Sequence, residues 1–140
     1  MMQAGRDYPT GRLLLAIALT AAGLAALWTV IRSGWGFPDE VYRGVLVGLA
    51  VATAAHIGGT FVGAFLAPSK GVSAAYLAST VVRFLATPVL AVSVYFALPM
   101  APQPLLIGAA AGYLLILVAD VGAMLKSTNR SRGAMGSASS

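Results

Sequence analysis

The chain has 140 residues and a formal net charge of +5, with 59% of its residues hydrophobic and only 9% charged. So little charge cannot cover the surface of a soluble domain of this size, so the composition describes an integral membrane protein. Without cysteine there are no disulfides and no thiolate ligands, and a single His with no clustered carboxylates argues against a metal centre.

Residues 1–12, with Pro9 and Gly11, read as a tail that stays unstructured until the membrane begins. Four apolar stretches follow within 13–125: Leu13 to Ile31, Gly44 to Leu66, Ser73 to Leu98 and Pro104 to Leu125. Each exceeds the roughly 18 residues at which a spanning helix becomes the default reading. The expected fold is therefore an all-α, four-helix transmembrane bundle made of two hairpins. The first stretch follows Arg6 and Arg12 as a secretory signal would, but it ends in Trp28 and Arg32 rather than a small-residue cleavage site. It reads as a retained helix. Trp28, Trp35 and Phe37 are placed like an interfacial aromatic belt. Residues 126–140, rich in Ser, Gly and Arg, carry no apolar periodicity and read as a disordered tail.

Orientation follows from the basic residues in the connections. Arg6, Arg12, Lys70, Lys126, Arg130 and Arg132 fall on one side of a four-helix serpentine, and only Arg32 and Arg43 on the other, beside Asp39 and Glu40. By the positive-inside rule both termini are cytoplasmic. The high pI is thus a topology signal. Basic residues that flank spans, with no basic face or binding motif, exclude a nucleic-acid reading, while Arg130 and Arg132 are placed to touch anionic lipid.

The polar residues inside the spans are the functional pointers. Arg83 lies mid-span in the third stretch, where a guanidinium costs roughly 2.5 to 3.5 kcal/mol on insertion scales. Tyr76, Thr80, Arg83 and Thr87 recur at helical spacing with Ser79 beside them, so this face looks into protein or water. Pro88 cannot donate to the carbonyl of Phe84, which predicts a kink just beyond Arg83. Asp120 in the fourth stretch is the candidate ion-pair partner, since a short connection makes helices 3 and 4 antiparallel neighbours. It could equally sit hydrated at the interface. His56 in the second stretch lies level with Arg83, on a face with Thr53, Gly59, Thr60 and Gly63, and reads as a structural hydrogen-bonding residue or a proton relay.

Small residues recur every four positions: Gly44, Gly48 and Ala52, then Ala55, Gly59 and Gly63, in the second stretch, and Gly108 with Gly112 in the fourth. Such ridges let helix backbones approach closely in lipid, either within the bundle or against a partner helix.

Two hairpins in a chain of this length, a Gly-rich second helix, and a third helix whose mid-membrane Arg83 is followed by Phe84 resemble ATP synthase protein I. The resemblance runs from about Arg12 to Lys126 and carries over one position, Arg83. It implies a small protein of the bacterial inner membrane that helps assemble the c-subunit ring of a rotary ATP synthase, with unassembled c subunit as partner. A c subunit carries a mid-membrane carboxylate, costly to leave unpaired, which Arg83 could shelter.

The competing expectation is a small channel or ion carrier, alone or as a homo-oligomer, using His56, Arg83 and Asp120 along a polar path. Gly58 to Gly63 resembles a segment of small four-helix fluoride channels, but the Phe, Thr and Ser-rich segment that lines those channels is missing from helix 3. No reactive constellation of an enzyme is present.

Overall fold

The computed structural model describes residues 8–138. Among them there are four helices and no strand: α1 (Thr10–Trp35), α2 (Asp39–Lys70), α3 (Val72–Ala97) and α4 (Pro102–Ala138). Each is long and apolar enough to cross a membrane, which is the architecture of a multi-pass membrane protein.

Turn chemistry sets the helix ends. Gly36 closes α1 in the left-handed region at φ 64°, its N–H donating to the Arg32 carbonyl at 2.9 Å. Pro38 stands immediately before α2, where its fixed φ suits entry into a helix. Only Gly71, at φ 84°, separates α2 from α3. Pro102 and Pro104 begin α4 within the first turn, where a missing N–H costs nothing. Pro88 lies inside α3, which is helical on both sides of it.

Connections this short make consecutive helices antiparallel, so α2 and α4 run parallel. The helix α2 is the centre of the bundle and packs on both α3 and α4, whereas α3 and α4 scarcely meet. The expectation that helices 3 and 4 pack as neighbours is corrected here: they meet only sparsely, and α2 holds them together by packing on both. Small residues explain the choice. A Cβ at Gly48 would stand 2.5 Å from the Ala109 nitrogen and 2.9 Å from the Gly108 carbonyl carbon, and one at Gly112 would stand 2.9 Å from Leu49 Cδ1. Backbones that close give α2 and α4 a contact that bulkier residues would forbid.

The distribution of side chains is inverted relative to a soluble protein. Phe65, Phe96 and Val118 are 83%, 80% and 70% exposed, while Arg83, Asp120, His56, Thr60 and Ser79 are fully buried. Large apolar side chains facing outward suit a lipid solvent, in which they gain nothing by packing inward.

Two tail expectations change. Residues 126–138, read from sequence as disordered, continue α4. Once a helix exists, each further residue adds a hydrogen bond without a new nucleus, and no proline interrupts this one after Pro104. The last two residues and residues 1–7 lie outside the described part. Within the N-terminal tail, Tyr8 is buried against Leu13 and Ala75, and α1 already starts at Thr10.

At the opposite end the α1–α2 connection is pinned by aromatics. Phe37 stacks on Trp28 with centroids 5.4 Å apart, Trp28 Nε1 donates to the Tyr42 carbonyl at 3.3 Å, and Arg32 pairs with Asp39.

Candidate functional site

The site is assembled around Arg83. Its position on α3 directs it toward α2, where Gly59 has no side chain to oppose it: a Cβ there would lie 2.7 Å from Arg83 Nε and 2.9 Å from the Ser79 carbonyl. The guanidinium passes over this notch. Its Nη2 donates to Thr60 Oγ1 of α2 at 2.8 Å, and its Nη1 forms an ion pair with Asp120 Oδ2 of α4. One side chain thereby ties three helices together, and both charged groups are completely buried.

The surroundings are polar and close-knit. Thr60 Oγ1 donates in turn to the His56 carbonyl at 2.9 Å, which leaves its lone pairs for Arg83. The Arg83 guanidinium carbon sits 5.9 Å from the Tyr76 ring centroid, within cation–π range. His56 bonds through Nδ1 to the Ala52 carbonyl at 2.8 Å, an arrangement that places the proton on Nδ1, and its ring lies 5.0 Å from that of Tyr113. Among the described residues His56 Nε2, Tyr76 OH, Arg83 Nε and Asp120 Oδ1 are buried without a hydrogen-bond partner. Such atoms keep unspent hydrogen-bonding capacity in the cluster.

The N-terminal segment closes the cluster from below. Tyr8 inserts its ring where Gly63 leaves space, with a notional Cβ only 2.5 Å from Tyr8 Cζ, and its hydroxyl shares a 3.3 Å hydrogen bond with Ser79 Oγ. Ser79 also donates to the Tyr76 carbonyl at 3.1 Å. Above the cluster, the half of the bundle around Gly44, Gly48, Val51, Ala91 and Ala109 is packed through backbone and small apolar residues.

Of the residues singled out from sequence, Arg83, Asp120 and His56 meet in this cluster. Asp120 is the buried partner of Arg83, not an interfacial carboxylate. Thr87 touches the cluster only through its own helix, donating to the Arg83 carbonyl at 2.8 Å, and Thr80 donates to the Tyr76 carbonyl at 2.9 Å. The glycines separate by role. Gly48, Gly108 and Gly112 bring α2 against α4, whereas Gly59 and Gly63 are notches that admit Arg83 and Tyr8. Both sets are thus occupied from inside the bundle, which is the first of the two roles that the sequence left open for these ridges.

Sequence reasoning missed three participants. Thr60 stood on the expected face without a role, because nothing local shows that a guanidinium arrives there. Tyr113 lies among apolar residues with no pattern to mark it. Tyr8 lies outside every predicted span, and its only signal was a tyrosine just before the membrane.

Between α3 and α4, where the helices part, a lateral groove of about 460 Å³ opens on the outer surface of the bundle, lined by Phe84, Thr87, Pro88, Ala109, Ala110 and Tyr113 among others. Phe84 and Tyr113 face each other across it with centroids 6.4 Å apart. Among the described residues no group of three or more His, Cys, Asp or Glu comes together as a metal site. Compared with protein-family models, with curated proteins and with solved structures, the chain matches none.

Proposed function

We propose that this chain is a small accessory protein of the membrane that works by receiving another membrane protein laterally. Following the resemblance to ATP synthase protein I, the partner is an unassembled c-subunit hairpin of a rotary ATP synthase. One observation carries this reading: α3 and α4 scarcely touch, and the groove that parts them starts at Phe84, the residue after Arg83, so that the buried Arg83–Asp120 pair lies at one end of it. Asp120 is then a placeholder. A partner helix entering beside Phe84 and Thr87 brings its own mid-membrane carboxylate, which takes over from Asp120 as the counter-charge of Arg83. Exchanging one carboxylate for another avoids leaving the guanidinium unpaired, a state that costs several kcal/mol in a low-dielectric interior.

Conduction of an ion by a single bundle is the weaker reading. The buried polar groups lie between Tyr8 and His56, and the remaining half is filled by glycine and alanine contacts between α2 and its neighbours. A path through a monomer would have to break those contacts.

The test is capture of purified c subunit by purified chain in mild detergent. Wild type is expected to retain it. Arg83→Ala should weaken capture roughly tenfold or more, in keeping with loss of an opposed charge worth about 1 to 3 kcal/mol. Ala110→Trp, which fills the groove, should do the same, while Arg130→Ala should not. Failure of wild-type capture, together with ion flux in reconstituted vesicles that Arg83→Ala abolishes, would reject the assembly role in favour of transport.

A further inference from the structure

The end of the bundle that carries both termini holds a second feature, separate from the Arg83 cluster. Because α4 outruns the other helices, its last turns stand beside the start of α1. Between them lies a cleft of about 610 Å³ lined by Tyr8, Thr10, Gly11 and Arg12 on one side and by Ser127, Arg130 and Ala134 on the other. Two arginines from helices far apart in sequence thus share one open cavity.

No carboxylate among the described residues is available to neutralise them. Asp39 and Glu40 begin α2 at the opposite end of the bundle, and Asp120 is taken by Arg83. Asp7 is the one other acidic residue in the chain and lies outside the described residues. The same end also bears Lys70, Lys126 and Arg132. A cleft lined by two arginines, with no carboxylate among the described residues against them, draws an anion, and the planar fork of arginine matches phosphate oxygens in particular.

The level of the cleft decides which phosphate. Arg12 lies one residue before Leu13, where the apolar part of α1 begins, and Arg130 lies five residues beyond Leu125, the last residue of the apolar run of α4. The cavity therefore opens where the apolar surface of the bundle gives way to charge, which is the level of lipid headgroups.

We infer that Arg12 of α1 and Arg130 of α4 form a binding site for a phosphate group carried by an anionic phospholipid headgroup. The bound headgroup bridges the two helices and holds the extension of α4 against the start of α1. Tyr8, whose side chain is anchored at Ser79 and Gly63, fixes the near wall of the site.

The experiment is native mass spectrometry of the purified full chain released from nanodiscs containing equal parts of phosphatidylcholine and phosphatidylglycerol. Wild type should retain the anionic lipid in preference. Each arginine near a membrane surface contributes roughly fivefold in affinity, so Arg12→Ala with Arg130→Ala should lower that preference by roughly twentyfold. The double Lys variant should keep part of it, and Arg132→Ala, the loss of one charge outside the cleft, should change it by less than the roughly fivefold of a cleft arginine. Circular dichroism and gel filtration confirm that each variant is folded. Equal retention of the two lipids by wild type would overturn the inference, as would an Arg132→Ala loss matching that of the paired variant. A parallel titration with inorganic phosphate separates the sources: saturable binding of free phosphate without any lipid preference would overturn the assignment to a headgroup.

Discussion

Arg83 and Asp120 form a fully buried ion pair between α3 and α4, two helices that otherwise scarcely touch. Their union is made through α2, whose Gly59 yields space to the arginine and whose Thr60 accepts a hydrogen bond from it. The pair is therefore a three-helix joint.

Removing one member should be far worse than removing both. Arg83→Leu or Asp120→Leu alone leaves a buried charge unpaired, and each should destabilise the bundle by about 3 to 5 kcal/mol. The double Leu variant should lose much less than the sum, down to near neutrality. Unfolding of the set in detergent measures this, and simple additivity would show that the two charges do not depend on each other.

Glycines that contact neighbouring backbone should be intolerant of a single methyl group, and those facing open space should not. Gly48→Ala drives a Cβ into the backbone of Ala109 and Gly108, which cannot rotate away, so it should cost about 1 to 3 kcal/mol. Gly58→Ala, with nothing within 4 Å, should be neutral or stabilise by about 0.5 to 1 kcal/mol through helix propensity. Comparable losses at both positions in thermal denaturation would refute the packing account.

Tyr8 should behave as an anchor of the N-terminal segment. Tyr8→Phe removes its hydrogen bond to Ser79 at a cost of about 0.5 to 1.5 kcal/mol. Gly63→Ala crowds the ring and should loosen the segment, seen as faster proteolysis after Arg6 or Arg12. Unchanged cleavage in Gly63→Ala would mean that the notch does not hold the tyrosine.

The chain lacks cysteine, so single introduced cysteines report topology without background. With both termini cytoplasmic, an impermeant maleimide added outside intact cells should label Ser33→Cys and leave Ser137→Cys unmodified. The reverse pattern would invert the orientation drawn from the basic residues and move the arginine cleft to the outer leaflet.

Much of the architecture was written locally. Unbroken apolar runs between Leu13 and Leu125, punctuated by Gly36, Pro38, Gly71 and Pro102, determine four membrane-length helices, because hydropathy and turn chemistry act on residues close in sequence. The prominence of Arg83 was equally local, since a mid-span charge is costly wherever the helix packs. What tertiary structure alone decided is who meets whom. That α2 is the central helix depends on Gly48, Gly108 and Gly112 reaching the same level from separate helices. That Asp120 is a buried partner depends on the Arg83 side chain crossing the Gly59 notch, and that Tyr8 belongs to the core depends on Gly63 and Ser79 leaving room for it. The tail after Leu125 shows the same limit in reverse: its composition reads as coil, yet it extends a helix already formed. These contacts join residues dozens of positions apart, and side-chain identity along one helix carries no information about which face of another will stand opposite it.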